Sequence, residues 1–80
     1  MPRYHFHIID GRTLLDPEGV ELPDAAGARD EALRLVGEIL RDPVQSVAFG
    51  SRWRLEATDS AGNLLLGLDL SLPVAAPAGG

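Results

Sequence analysis

The sequence contains no cysteine, which removes disulfides and thiolate metal sites and suits a reducing compartment, so a cytoplasmic location is expected. Only four residues are aromatic, and leucine, valine and alanine must supply most of the burial. Positive charge is also short: seven basic residues face twelve acidic ones, for a formal charge of −5. That balance repels phosphate backbones and argues against nucleic acid as a partner. Long apolar runs are missing too. The greasiest segment, Leu64 to Leu72, is interrupted by Gly67 and Asp69 and falls far short of the roughly 20 residues of a membrane helix. The opening MPRYHFHIID has neither the apolar stretch nor the small-residue cleavage site of a signal peptide.

What remains is a short chain with a strong pattern. Eighty residues make one domain, and a chain of this size hides only about 60% of the surface its unfolded form exposes. From Arg3 to Ile9 the side chains alternate, with Tyr4, Phe6 and Ile8 on one face and Arg3, His5, His7 and Ile9 on the other. Asp10-Gly11 predicts a tight two-residue hairpin turn back through RTLLD. Asp16-Pro17-Glu18-Gly19 has the chemistry of a type I turn and predicts a second reversal, into VEL.

Leu22-Pro23-Asp24 reads as a helix entrance, with Asp24 as N-cap. Apolar residues at Ala25, Ala28, Ala32, Leu35, Val36, Ile39 and Leu40 predict one helical face. Arg29, Asp30, Glu31, Arg34, Glu38 and Arg41 take the opposite side. Asp42-Pro43 ends the helix, because a residue before proline is pushed out of the α region. VQSVAFGS, residues 44–51, reads equally as a plug for the core or as a brief strand.

Alternation returns from Arg52 to Asp59, with Trp53, Leu55 and Ala57 on one face and Arg52, Arg54, Glu56 and Thr58 on the other. DSAGN supplies a turn, and Leu64, Leu66, Leu68, Leu70 and Leu72 form a single stripe on the last strand. The expected fold is α+β: a small, largely antiparallel sheet in the order β-β-β-α-β-β, with one helix packed on one face. Residues 1–73 are expected to form the single domain, and residues 74–80 a disordered tail.

Three blocks in register, MPRYHFHIIDG, DPEGVELPDAAGARDEAL and WRLEATDSAGNLLLGLDL, resemble a family of short bacterial proteins known as a domain of unknown function. Its pattern is a Tyr-x-Phe-His strand, a Gly-Val-Glu-Leu-Pro-Asp segment and a Trp-Arg-Leu-Glu hairpin. The resemblance covers nearly all of residues 1–72 and implies an α+β fold, without an activity. The first half, a hairpin followed by LPD and a helix carrying DEALRLVGEIL, is similar to antitoxins of the HicB type. That likeness implies a fold that binds a protein and dimerises, by architecture alone.

His5 and His7 lie two residues apart on one strand face, with Cα atoms about 6.6 Å apart. Two imidazoles so placed could reach one metal at about 2.0–2.1 Å, but a zinc site needs a third protein ligand. Glu56 and Asp69 are the best candidates by alternation, with Asp10 next. The plainer reading, a solvated strand face, is preferred, and no cofactor is expected. Arg3, Arg52 and Arg54 with the two histidines could form a basic binding strip, together with Glu56. The preferred reading instead pairs Arg52 and Arg54 with Glu56 and Asp69 across strands, each pair contributing about 0.2–1 kcal/mol.

No catalytic constellation stands out. Ser46, Ser51, Ser60 and Ser71 surround no identifiable base, and no nucleophile elbow or glycine-rich phosphate cradle occurs. The acidic run Asp10, Asp16, Glu18, Glu21 and Asp24 lacks the ligand order of a calcium loop. The leading expectation is a non-enzymatic protein-binding or self-assembly module, with a protein partner or a second copy as the partner. A metal- or anion-binding domain on the His5/His7 face is the first alternative, and a small hydrolase the second.

Overall fold

The computed structural model describes residues 2–42 and 52–71. The ambiguous segment 44–51 and the tail 74–80 lie outside the described residues. The elements are β1 (Arg3–Ile9), β2 (Thr13–Leu14), β3 (Val20–Glu21), α1 (Ala25–Arg41), β4 (Arg52–Asp59) and β5 (Leu64–Ser71). All strand pairs are antiparallel, in the spatial order β2-β1-β4-β5, with β3 also on β1. The α+β fold, the element order and the single helix among the described residues match the sequence pattern.

The alternation of β1 and β4 sets the core. Tyr4 and Phe6 from β1 and Trp53, Leu55 and Ala57 from β4 are buried together with Ala28, Ala32 and Ile39 from α1. Ala28 and Ala32 are 0% exposed: short side chains let the helix lie close to the sheet, where it packs chiefly on β4. Asp24 caps the helix as expected, its Oδ1 accepting from the Gly27 N–H at 2.9 Å. The apolar stripe is narrower than its periodicity predicts, since Ala25 and Leu40 are exposed. Glu31, expected on the wet side, has a side chain only 16% exposed.

Three local expectations are corrected. The β1–β2 turn has three loop residues rather than two, because Ile9 pairs with Thr13. Gly11 sits at its centre with φ +102°.

The segment Asp16-Pro17-Glu18-Gly19 is not a reversal. β2 and β3 are both antiparallel to β1, on its one free side, and so run in the same direction. Leu14 pairs with Ile8 and Val20 with Tyr4, so the chain makes a detour between two halves of one broken edge strand. Asp16 holds its shape: Oδ1 accepts from the N–H groups of Glu18 and Gly19 at 3.3 and 3.1 Å.

The third correction concerns the leucine stripe. A bulge between Ala57 and Thr58 places Leu64 opposite Thr58 and Leu66 opposite Ala57. One extra residue reverses the phase of the strand before it. Leu64 therefore leaves the helix-covered face that Leu66, Leu68 and Leu70 share, and both Leu64 and Leu65 are exposed.

Gly19 is the tightest point of the detour, at φ +73° with a Cβ position only 2.7 Å from the Tyr4 carbonyl oxygen. Gly19→Ala is expected to lower stability by about 1–3 kcal/mol in urea titration. Gly11→Ala, with no atom within 4 Å of its Cβ position, is expected to cost less.

Candidate functional site

Beside the broken edge strand, two extra residues on the β2–β3 side leave the middle of β1 without a ladder partner. Asp16 fills that gap, its Oδ2 accepting from the Phe6 N–H at 3.2 Å. The histidines grip the same residue from the sheet face opposite α1. His5 Nδ1 lies 2.8 Å from the Asp16 carbonyl oxygen, and the Asp16 N–H donates to His7 Nδ1 at 3.0 Å.

These backbone partners dictate opposite tautomers. A carbonyl only accepts, so His5 carries its proton on Nδ1. An amide N–H only donates, so neutral His7 carries its proton on Nε2, where it donates to Thr58 Oγ1 at 3.1 Å. The two rings lie parallel, with centroids 6.1 Å apart. Both residues are half-buried, so the expected solvated face is here a strap across the strand edge.

That strap occupies the donors a metal would need. Among the described residues, both ring nitrogens of His7 and the Nδ1 of His5 have hydrogen-bond partners, and only His5 Nε2 has none. Glu56 and Asp69 are likewise engaged. Arg54 donates from Nε to Glu56 Oε2 and from Nη1 to Asp69 Oδ2, both at 2.8 Å. These hydrogen bonds, with Glu56 first and Asp69 next, raise the Arg54 pKa above its usual value. Among the described residues no group of three or more His, Cys, Asp or Glu side chains converges on one point.

The basic strip is largely neutralised in the same way. Arg3 donates to the Glu18 carbonyl at 2.7 Å and to Glu21 Oε1 at 3.1 Å. Of the three, only the Arg52 side chain has no ion pair or hydrogen bond among the described residues. The expected pairing of Arg54 holds, and that of Arg52 does not.

On the helix side, a groove of about 630 Å³ runs between α1 and the detour, with Leu14, Leu15, Val20 and Leu35 in its walls. Two of its carboxylates, Glu31 and Glu38, are held by one arginine. Arg34 bonds both Glu31 and Glu38, and its hydrogen bond to Glu31 outweighs desolvation and lowers the Glu31 pKa.

The outer edge of β5 is the third feature. Among the described residues no strand pairs with it. Gly67, which interrupts the leucine run, lies beneath the Arg54 guanidinium: a Cβ there would come within 2.5 Å of Arg54 Cζ. A lone glycine inside a strand is the signal of such an approach. The roles of Asp16 and Thr58 carry no comparable mark, because they depend on which strand lies beside β1.

The strap has measurable consequences. His7→Ala leaves the Asp16 N–H without its acceptor and is expected to cost about 1–3 kcal/mol in chemical denaturation. Added zinc is expected to leave the wild-type melting temperature unchanged. For the Asp16 carboxyl, desolvation raises the pKa, but the N–H donors of Gly19, Phe6 and Glu18 and the charge of His5 together outweigh it and lower the value. Its stabilisation is therefore complete above the ordinary value of 3.8 and lost as the pH falls through the lowered folded-state value. Asp16→Asn is expected to be less stable than the wild type near neutrality, with the gap narrowing below pH 3.8.

No curated protein and no solved structure matches the chain significantly, so the HicB-type likeness gains no support from either comparison. Residues 3–71 match the family described as Domain of unknown function (DUF6894). That span takes in every strand and the helix, and the chain belongs to this family.

Proposed function

We propose that this chain is a non-enzymatic self-assembly module that joins a second copy by strand addition at the outer edge of β5. The observation that carries this reading is the contrast between the two sides of the sheet. On the β1 side the edge is occupied by β2 and β3, and the gap between them is filled by Asp16. On the other side lies β5, eight residues long and unpaired along its outer edge among the described residues.

Long edges are usually blunted by lysine, proline or inward charge. β5 has no proline and a single charge, Asp69, and the whole chain has no lysine. Leu66, Leu68 and Leu70 are only partly covered, and Leu64 and Leu65 are 55% and 40% exposed. A neighbouring strand would satisfy the outer N–H and C=O groups and extend the cover over these leucines.

The alternatives have weaker support. Metal binding would have to break the His7 strap and the Arg54 pairs. For anion binding the strip offers, among the described residues, the Arg52 side chain and the Nη2 of an Arg54 already paired with two carboxylates. A hydrolase would have, among the described residues, only the exposed serines Ser60 in the β4–β5 turn and Ser71 on β5 as nucleophiles.

Sedimentation equilibrium from micromolar to millimolar chain is expected to show reversible association. Leu65→Lys, on an exposed site, is expected to weaken it at least tenfold with little change in melting temperature. A wild-type chain that stays monomeric over that range would remove the reading.

A further inference from the structure

Resting on the proposal that β5 pairs with a second copy, we infer that the pairing is antiparallel and locked in one register, Leu68 against Leu68, by Arg54 and Asp69 of the two copies. Residues directly opposite in an antiparallel pair share a face, and a one-residue slip exchanges the faces. Only alternate registers therefore keep the leucines on the helix side. A two-fold axis at Leu68 sets residues 65–71 of each copy against each other. Leu66 then faces Leu70, Leu68 faces itself, Gly67 faces Asp69 and Leu65 faces Ser71.

Charge selects this arrangement over its neighbours. Arg54 reaches across β5 above Gly67, where a side chain would collide with it. Its Nε holds Glu56 and its Nη1 holds Asp69, while Nη2 makes no hydrogen bond among the described residues. With the axis at Leu68, Asp69 of the second copy stands beside Gly67 and therefore beside this guanidinium. The symmetry makes the contact twice. Asp69 can hold its own Arg54 through Oδ2 and still reach the second copy, because its side chain is 79% exposed.

The neighbouring registers put like charges together. An axis at Gly67 stacks the two Arg54 guanidinium groups over facing glycines. It also sets Leu64, displaced from the leucine face by the bulge, against Leu70. An axis at Asp69 places the two carboxylates opposite each other, and like charges directly opposite destabilise a sheet. The glycine in the leucine run thus acquires a role: it lets an arginine of the inner strand present its charge at the edge.

Because the chain has no cysteine, single introduced cysteines report the register. Under mild oxidation, a mixture of Ser71→Cys and Leu65→Cys chains is expected to form the mixed disulfide. A mixture of Leu66→Cys and Leu68→Cys chains, which share a face and meet when the axis is at Gly67, is expected to give little mixed disulfide. Preference for the second pair, or equal yields, would overturn the register while leaving strand addition standing; absence of wild-type association in sedimentation would instead overturn strand addition itself. Asp69→Asn is expected to weaken association about 2- to 30-fold, from two symmetric cross-strand pairs of about 0.2–1 kcal/mol each. Unchanged association in that variant would overturn the charge lock.

Discussion

The Asp16 carboxylate, accepting from the Phe6 N–H in the middle of β1, is the interaction on which the sheet's asymmetry depends. An edge strand broken into two-residue pieces leaves backbone groups exposed between them, and one acidic side chain supplies the missing acceptor. The same residue shapes the detour through Glu18 and Gly19 and is held through its own backbone by His5 and His7. Arg3 ties the far side of the detour to β1 through Glu18 and Glu21. One side of the sheet is thereby closed with very little regular strand.

The opposite side is built on another economy. Asp59 closes the β4–β5 turn alone, accepting from the N–H groups of Ala61 and Asn63 and from the Asn63 amide. The side-chain bond from Asn63, followed by its backbone N–H, lowers the Asp59 pKa against the cost of desolvation. From that turn β5 runs with a bulge at its start, which moves Leu64 off the leucine face. The helix packs on β4 rather than centrally over β5, so the leucines of the last strand are only partly covered. A small core and a partly covered edge strand have the same origin, since α1, the one helix among the described residues, packs on β4 and does not reach across all four strands.

Periodicity made the architecture legible before the structure. Alternation in β1 and β4 identifies Tyr4, Phe6, Trp53, Leu55 and Ala57 as core, and Asp24 and Asp42-Pro43 mark where the helix begins and ends. What periodicity cannot carry is pairing. Asp-Pro-Glu-Gly has the composition of a reversing turn, yet whether it reverses the chain depends on the strand against which the next residues settle. Likewise the histidine pair has strand spacing suited to chelation, but its partner proves to be the backbone of Asp16, eleven and nine residues away. The bulge at Leu64 is invisible in an unbroken leucine alternation. Gly67 is the exception, an irregularity in the sequence that does mark a close approach.

One sheet edge is sealed within the chain, and the proposed second copy completes the other. Amide hydrogen exchange at several chain concentrations tests it most directly. The Phe6 amide, held by Asp16, should be protected to the same degree at every concentration. The amides of β5 that point away from β4 should exchange quickly in dilute chain and slow as the concentration rises. Protection of those β5 amides that does not change with concentration would contradict the account.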